Sequence, residues 1–265
     1  MNFFEQILHF LEGTMERPGN YGWFHLLAMG IVAAVCIFIC IKFKNADKKT
    51  VNRIVFIAWL IMAVLEIYKQ TIYTFNYSDG TVTWDYQWYA FPFQLCSTPL
   101  YVFPFVFLIK NEKIRDYFVA FSCFFSLFGG LAVLFYPNDV FVETIGINIQ
   151  TMIHHGLQVI IGIFLITVSR KKLKINFYLK ALVTFAVVSV IAIALNELVP
   201  LITDETFNMF YISSHFPSTL PVLSILYPLM PYPAFLIMYL IGFAVIGIII
   251  YSVSYLIAGR KYAKK

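Results

Sequence analysis

Long apolar runs alternate with short polar connections along the whole chain. A helix that crosses a bilayer needs about 20 mostly apolar residues, because its backbone must satisfy its own hydrogen bonds in hydrocarbon. The pattern therefore predicts an all-α, polytopic membrane helix bundle with seven transmembrane helices. The predicted spans are Trp23–Phe43, Ile54–Phe75, Tyr89–Ile109, Ile114–Tyr136, Ile145–Val168, Phe177–Val199 and Tyr232–Ala258.

The connections between these spans predict the orientation of the bundle. Basic residues that flank short connections stay on the cytoplasmic side of a membrane. Lys and Arg concentrate in the first, third and fifth connections and at the C-terminus, whereas the second, fourth and sixth connections contain none. We therefore expect the N-terminus outside and the C-terminus in the cytoplasm. The basic residues placed inside are Lys42, Lys44, Lys48, Lys49, Arg53, Lys110, Lys113, Arg115, Arg170, Lys171, Lys172, Lys174, Lys180, Arg260, Lys261, Lys264 and Lys265.

The same pattern divides the chain into an external N-terminal segment (1–22), a membrane domain (23–260) and a basic cytoplasmic tail (261–265). Acidic residues stand where a signal peptide would carry basic ones, so we expect no cleavage, and the apolar residues of 3–11 predict a short interfacial helix. The external connection 200–231 is rich in Pro and aromatic residues. It is either a folded loop packed on the helix ends or a re-entrant or interfacial cap.

Composition supports lipid as the solvent of the chain. Hydrophobic residues make up 60% of the sequence and charged residues 12%, about half the charged fraction of soluble domains. The net charge of +5 is divided among short clusters, so no nucleic-acid-binding face is indicated. The four cysteines lie in apolar segments without metal-ligand spacing, which predicts four free thiols, no metal and no cofactor. Membrane lipids are the expected partners.

Ionisable residues inside spans are costly and usually face a bundle interior or a watery cavity. Glu66 and Lys69 are three residues apart in the second span, within pairing reach on one face, and Tyr73 follows on the same stripe. This pair either lines a cavity or only fixes helix packing.

The fifth span carries a polar stripe. Asn148, Thr151, His155 and Gln158 fall within about 80° on a helical wheel, and His154 projects about 100° away from His155. A stripe of this kind is typical of a cavity wall, although a single membrane histidine is often an interhelical hydrogen-bond partner. We therefore expect His155 to line the cavity and rank His154 second for that position.

The third span contains Pro92, Pro99 and Pro104, with Gln94 and Cys96 in the irregular stretch that the prolines create. Counted from the outer helix ends, Glu66, Lys69, Cys96 and His155 lie in the outer half or near the midplane. Asn196 and Glu197 end the sixth span near the outer surface. If these helices adjoin, they form an outward-facing polar cavity of unknown use, in which a thiol, an imidazole and a carboxylate could also carry out acyl transfer.

The sequence also resembles a known family in the segment FPFQLCSTP, the Glu66 and Lys69 helix, the His154–His155–Gly156 segment and the stretch from Asn196 to Phe210. It is similar to the YwaF-like bacterial integral membrane proteins, which look related to the transmembrane protein 164 acyltransferases of animals. The resemblance implies a lipid acyltransferase or transacylase of the bacterial cell membrane. It implies Cys96 as the acyl-carrying nucleophile and His155 or its neighbour as the family histidine.

Two positions depart from the bacterial pattern. Gln94 stands where a histidine is common, and Ser97 stands where an aspartate is frequent. Both departures remove acid, base or metal functions from the third span. They keep open a non-enzymatic protein that binds a lipid or a small molecule, as receptor, carrier or assembly partner. An ion or proton-coupled transporter is a third interpretation, for which no repeat is visible between the halves.

Overall fold

The structure is a computed structural model that describes residues 3–78, 81–137 and 140–260. It is an all-α membrane protein with one small hairpin, and six of its helices are long and apolar enough to cross a bilayer. They correspond to six of the seven predicted spans. Residues 1–2 and the predicted basic tail (261–265) lie outside the described residues. The six are Trp23–Lys42, Lys48–Ile72, Glu112–Phe135, Ile145–Val168, Ile175–Leu201 and Tyr232–Gly259.

The regular elements follow one another from the N-terminus in a fixed order. They are α1 (Phe3–Leu11), α2 (Trp23–Lys42), α3 (Lys48–Ile72), β1 (Phe75–Ser78), β2 (Thr81–Trp84), α4 (Pro99–Leu108), α5 (Glu112–Phe121), α6 (Leu127–Phe135), α7 (Ile145–Val168), α8 (Ile175–Leu198), α9 (Leu223–Leu226) and α10 (Tyr232–Ser254). A π-helical turn, Ser122–Ser126, joins α5 to α6 into one span.

Capping side chains explain why two spans begin earlier than predicted. Asp47 accepts a hydrogen bond of 2.9 Å from the Thr50 backbone N–H, so α3 starts at Lys48. The hydrogen bonds from Thr50 hold the pKa of Asp47 below its ordinary value. Asn111 caps α5 in the same way, through the Lys113 N–H at 2.9 Å. The apolar run detects the membrane-crossing part of each helix but not its polar first turn.

Helix α7 forms the centre of the bundle, where it packs against α2, α3 and α6. Small residues let the backbones approach closely, as is common between membrane helices. A Cβ atom on Gly130 of α6 would lie 2.7 Å from the His155 carbonyl oxygen, and one on Gly162 of α7 would lie 2.8 Å from Leu127 Cβ. These two glycines set the spacing of α6 and α7, so α7 is buried on most of its sides.

The predicted third span, Tyr89–Ile109, is not one continuous helix. Its first half consists of two 3₁₀ turns, Trp88–Ala90 and Leu95–Ser97, and only α4 is regular. Prolines are the physical reason, because they lack an N–H donor and disfavour helical geometry in the residue before them.

The broken segment nevertheless runs beside α3 for most of its length. The Gln70 side chain donates to the Ala90 carbonyl at 2.9 Å, near the C-terminal end of α3. At the N-terminal end of α3, the Asn52 amide donates to the Phe107 carbonyl at 3.2 Å. The chain from Ala90 to Phe107 therefore lies antiparallel to α3.

The first, third and fifth connections meet at one end of the bundle, called here the basic end. Lys48 pairs with Glu112 at 2.5 Å, and Lys172 bridges Glu112 at 3.4 Å and Asp116 at 2.7 Å. Lys180 pairs with Asp116 at 3.1 Å. The opposite end, called here the hairpin end, carries β1 and β2, which pair antiparallel in a Phe75–Trp84 register.

The 200–231 connection folds against the bundle at the hairpin end. Phe207, Met209, Phe210 and Ile212 are buried in it, and the Phe210 ring stacks on Phe93 at a centroid distance of 5.9 Å. These buried side chains pack the connection onto the ends of the bundle.

Candidate functional site

The turn that carries Cys96 (Leu95–Ser97) is held by two side chains of α7. The Cys96 carbonyl oxygen accepts from His154 Nε2 at 3.0 Å and from Gln158 Nε2 at 2.8 Å. Gly129 of α6 makes room for the turn, since a Cβ there would lie 3.4 Å from Cys96 Cα. Both lone pairs of the Cys96 carbonyl are thus used, and the position of the turn is fixed against α7.

The protonation of both histidines follows from their acceptors. A carbonyl can only accept, so His154 is protonated at Nε2, and His155, whose Nδ1 contacts the Thr151 carbonyl at 2.7 Å, is protonated at Nδ1. The other ring nitrogens, His154 Nδ1 and His155 Nε2, are buried and have no hydrogen-bond partner within the described part of the chain. Each therefore presents a lone pair that can accept a proton.

Glu66 and Lys69 form the ion pair that their spacing predicts, at 3.1 Å, with only 8% and 18% of their side-chain surfaces exposed. The Glu66 carboxylate also accepts from Gln70 at 2.7 Å and from Gln150 of α7 at 3.5 Å. These three donors satisfy the buried carboxylate and tie α3 to α7. Tyr73, at the end of α3, packs its ring against Tyr89 at 5.9 Å.

Gln70 is itself fixed by the segment after the hairpin. The Tyr86 hydroxyl donates to Gln70 Oε1 at 3.0 Å. Burial raises the pKa of Tyr86, which keeps this hydroxyl protonated and donating. Gln150, which donates to Glu66, and His154, which contacts the Cys96 carbonyl, lie one turn apart on α7. The structure thus brings Glu66, Lys69, Cys96 and the two histidines into one region.

A cleft of about 460 Å³ opens between α3, the hairpin and the broken segment. Cys96 is not among its lining residues, but Pro92, Leu100 and Tyr101 on either side of the Cys96 turn are. The full lining is Trp59, Ala63, Glu66, Ile67, Gln70, Thr71, Thr74, Phe75, Trp84, Pro92, Leu100 and Tyr101.

Gln94 and Asn196 hold the 200–231 connection and do not face the Glu66 region. Gln94 donates to the Asn208 carbonyl at 2.8 Å and accepts from the Phe210 N–H at 2.7 Å. Asn196 does the same for Met209, at 2.9 Å to its carbonyl and 2.7 Å from its N–H. Two amide side chains therefore clamp three consecutive residues of the loop.

Other sequence-predicted residues lie apart from the region or link to it only indirectly. Glu197 is exposed and contacts Ser214 at 2.5 Å and His215 at 3.0 Å on the surface. Asn148 bonds both the N–H and the carbonyl of Val142, at 2.9 and 2.7 Å, and so fixes the start of α7. Thr151 is buried, 3.5 Å from the Gln150 side chain.

Sequence reasoning missed Gln70, Gln150 and Trp59. Gln70 lies four residues after Glu66, a spacing at which helical side chains meet, so this contact could have been predicted. Gln150 and Trp59 gave no comparable signal, because their partners are distant in sequence. In residues 3–78, 81–137 and 140–260 the structure has no group of three His, Cys, Asp or Glu side chains placed to hold a metal ion. All four cysteines are free thiols, as predicted.

The fold and the region around Cys96 define a multi-pass membrane protein with a partly buried thiol, a histidine pair and an ion pair among its helices. A family model, the TMEM164 family, matches residues 20–255, and the chain belongs to this family. No curated protein matches it, and no solved structure matches it.

Proposed function

We propose that this protein is a lipid acyltransferase or transacylase that uses Cys96 as its nucleophile. The observation that carries the proposal is the attachment of the Cys96 turn to His154, beside two buried imidazole nitrogens with free lone pairs. Membership of the TMEM164 family supports the same chemistry through the resemblance to its animal acyltransferases. The site lies among helices that cross a membrane, which matches a substrate dissolved in lipid.

The reaction proceeds in two balanced steps. A histidine takes the thiol proton, the Cys96 thiolate attacks the carbonyl carbon of an acyl ester, and the ester C–O bond breaks as the imidazolium returns the proton to the leaving alcohol. The acceptor hydroxyl or amine then gives its proton to the same histidine and attacks the thioester. The C–S bond breaks, and the imidazolium returns its proton to the sulfur, which restores the thiol and the neutral histidine.

We assign the base to His154 and a supporting position to His155. His154 contacts the Cys96 residue directly, whereas the hydrogen bond of His155 goes to its own helix, at the Thr151 carbonyl. The two rings lie 5.3 Å apart, so protonation of one disfavours protonation of the other. This order reverses the ranking expected from the helical wheel.

The proposal is tested by incubating the protein in lipid nanodiscs with an activated acyl-lipid. A hydroxylamine-labile adduct on Cys96 is expected in the unmodified protein and absent in Cys96→Ser and Cys96→Ala, whereas Cys36→Ala serves as the matched thiol control and keeps it. Undiminished acyl turnover in Cys96→Ala would overturn the nucleophile assignment.

Substitutions of the two histidines test which of them is the base. His154→Gln keeps an amide donor for the Cys96 carbonyl but carries no titratable nitrogen, so we expect the turn to stay in place and acylation to slow strongly. His155→Gln should slow it less. The opposite order of the two effects assigns the base to His155.

The cleft favours one other function, a protein that binds a lipid without modifying it. Its 460 Å³ lies within the range of ligand sites, and Cys96 does not line it. Under this alternative, lipid remains bound and chemically unchanged, and the nanodisc experiment shows no adduct.

We also propose that the Ala90–Phe107 segment is a seventh crossing and that the basic end faces the cytoplasm of a bacterial cell. The segment lies along α3 from one end to the other, and the basic connections share one end, as the positive-inside rule requires. Cysteines introduced at Lys172 and Ser214 should be accessible from inside and outside, respectively. Labelling of position 172 from outside would invert the scheme.

A further inference from the structure

The cleft between α3 and the broken segment extends along α3. On α3 its lining runs from Trp59, near the middle of the helix, to Thr71, one residue before its end. Twelve residues of helix correspond to about 18 Å, which is slightly more than half of a hydrocarbon core of about 30 Å. The cleft therefore covers one leaflet, from the midplane to the interface at the hairpin end.

The polarity of the lining changes along this length. The deep part is formed by Trp59, Ala63 and Leu100, and the Trp59 N–H is already bonded to the Leu100 carbonyl at 2.9 Å. The shallow part contains Gln70 and Thr71, beside the hairpin. A surface that is apolar at the midplane and polar at the interface matches the two ends of a membrane lipid.

The polar end of the cleft offers mainly hydrogen-bond acceptors. Thr71 and Thr74 donate their hydroxyl hydrogens to the Ile67 and Gln70 carbonyls, at 2.8 and 2.5 Å, so their oxygens remain available to accept. The Glu66 carboxylate also lines the cleft. Acceptors of this kind fit a headgroup with donor groups, such as an ammonium or a hydroxyl.

The rim of the cleft is open to the surrounding membrane. Ile67 is 68% exposed, Trp84 73% and Tyr101 41%, and each lines the cleft. In a bilayer such an opening is filled by lipid, because water is absent from the hydrocarbon region. The occupant therefore enters sideways from the leaflet.

We propose that this cleft binds one glycerolipid of the hairpin-end leaflet, with an acyl chain between Trp59 and Leu100 and its headgroup at Thr71 and Thr74. The ester linkages then lie at the level of Glu66 and Gln70, next to the wall that carries the Cys96 turn. The role of this lipid as the substrate for acyl transfer rests on the proposed function. Its presence in the cleft does not, and it can be measured in Cys96→Ala protein.

The test uses Cys96→Ala protein in phosphatidylethanolamine vesicles that contain a trace of the same lipid with a photoreactive group. With the group at the chain end, cross-links should map to Trp59, Ala63 and Leu100. With the group in the headgroup, they should map to Thr71, Thr74 and Trp84. Cross-links spread evenly over lipid-facing residues of α8 and α10 overturn the proposal without affecting the acyl-transfer hypothesis.

A pair of neighbouring substitutions on α3 provides the matched control. Ala63→Trp fills the deep part of the cleft and should reduce chain-end cross-linking about tenfold, equivalent to about 1.4 kcal/mol of binding. Val64→Trp points to lipid outside the cleft, where Val64 is 57% exposed, and should leave cross-linking unchanged. Equal labelling of the two variants contradicts the proposal. If Ala63→Trp does not fold, the cross-link positions in the Cys96→Ala protein without either substitution decide the proposal.

Discussion

Replacement of Gln94 by Ala should release the 200–231 connection from the bundle. The Gln94 side chain makes two hydrogen bonds, to the Asn208 carbonyl at 2.8 Å and from the Phe210 N–H at 2.7 Å. Both partner residues are buried, at 8% and 1% exposure, so removal of the amide leaves the Phe210 N–H without its partner, whereas the Asn208 carbonyl keeps the Tyr211 N–H at 3.3 Å. A buried N–H without a partner costs about 1–3 kcal/mol, so we expect a loss of about 2 kcal/mol.

Amide hydrogen exchange measures this release locally. A loss of about 2 kcal/mol in the free energy of opening should speed exchange at the Phe210 amide about 30-fold. Gln94→His should recover at most one of the two bonds, because its two ring nitrogens point in different directions, whereas the amide presents donor and acceptor side by side.

The matched control for this prediction is Glu197→Ala. Glu197 also contacts the connection, through Ser214 and His215, but its side chain is 47% exposed, so its removal should change little. If exchange at Phe210 in Gln94→Ala stays within about threefold of the unmodified protein, the clamp contributes little and the reasoning about its buried hydrogen bonds is wrong.

Two further predictions concern the packing of the membrane helices. Gly130→Ala places a Cβ 2.7 Å from a carbonyl oxygen of α7 and should lower the free energy of unfolding by about 1–3 kcal/mol. Gly30→Ala, where a Cβ meets nothing within 4 Å, should not lower it. Trp59→Phe should lower the free energy of unfolding by about 1–2 kcal/mol in the unmodified protein. It should lower it less in a Pro104→Ala background, because the new backbone N–H can bond the Leu100 carbonyl. Equal losses in the two backgrounds contradict this account.

Hydrophobic pattern predicted most of the fold because membrane helices must be both long and apolar. Six spans and the Glu66–Lys69 pair follow from length, composition and helical spacing. The third span is not one helix, because Pro92 and Pro99 interrupt it before α4 begins. Inside α4, a third proline is compensated from another helix. Pro104 has no N–H for the Leu100 carbonyl four residues earlier, and the Trp59 side chain supplies the missing donor from another helix.

The candidate site was predicted less completely because amide side chains do not reveal their partners. Gln94 and Asn196 were expected to line a cavity, yet they bond backbone groups of a loop that begins after residue 200. Asn148 lies in the predicted stripe of α7. At the start of the helix, however, its side chain bonds Val142 in the connection between α6 and α7. A helical wheel gives the direction of a side chain and not the segment that it meets.

The break in the third segment also explains why α7 carries polar residues at its centre. In hydrocarbon, a carbonyl left free by an interrupted helix requires a donor from elsewhere. The Cys96 carbonyl has two, His154 and Gln158, and both lie on α7. The fold thus requires donors at these positions whether or not the protein is an enzyme. Histidine differs from glutamine in having a second nitrogen that can take a proton, so a histidine that meets the structural need also brings a titratable nitrogen to the Cys96 turn.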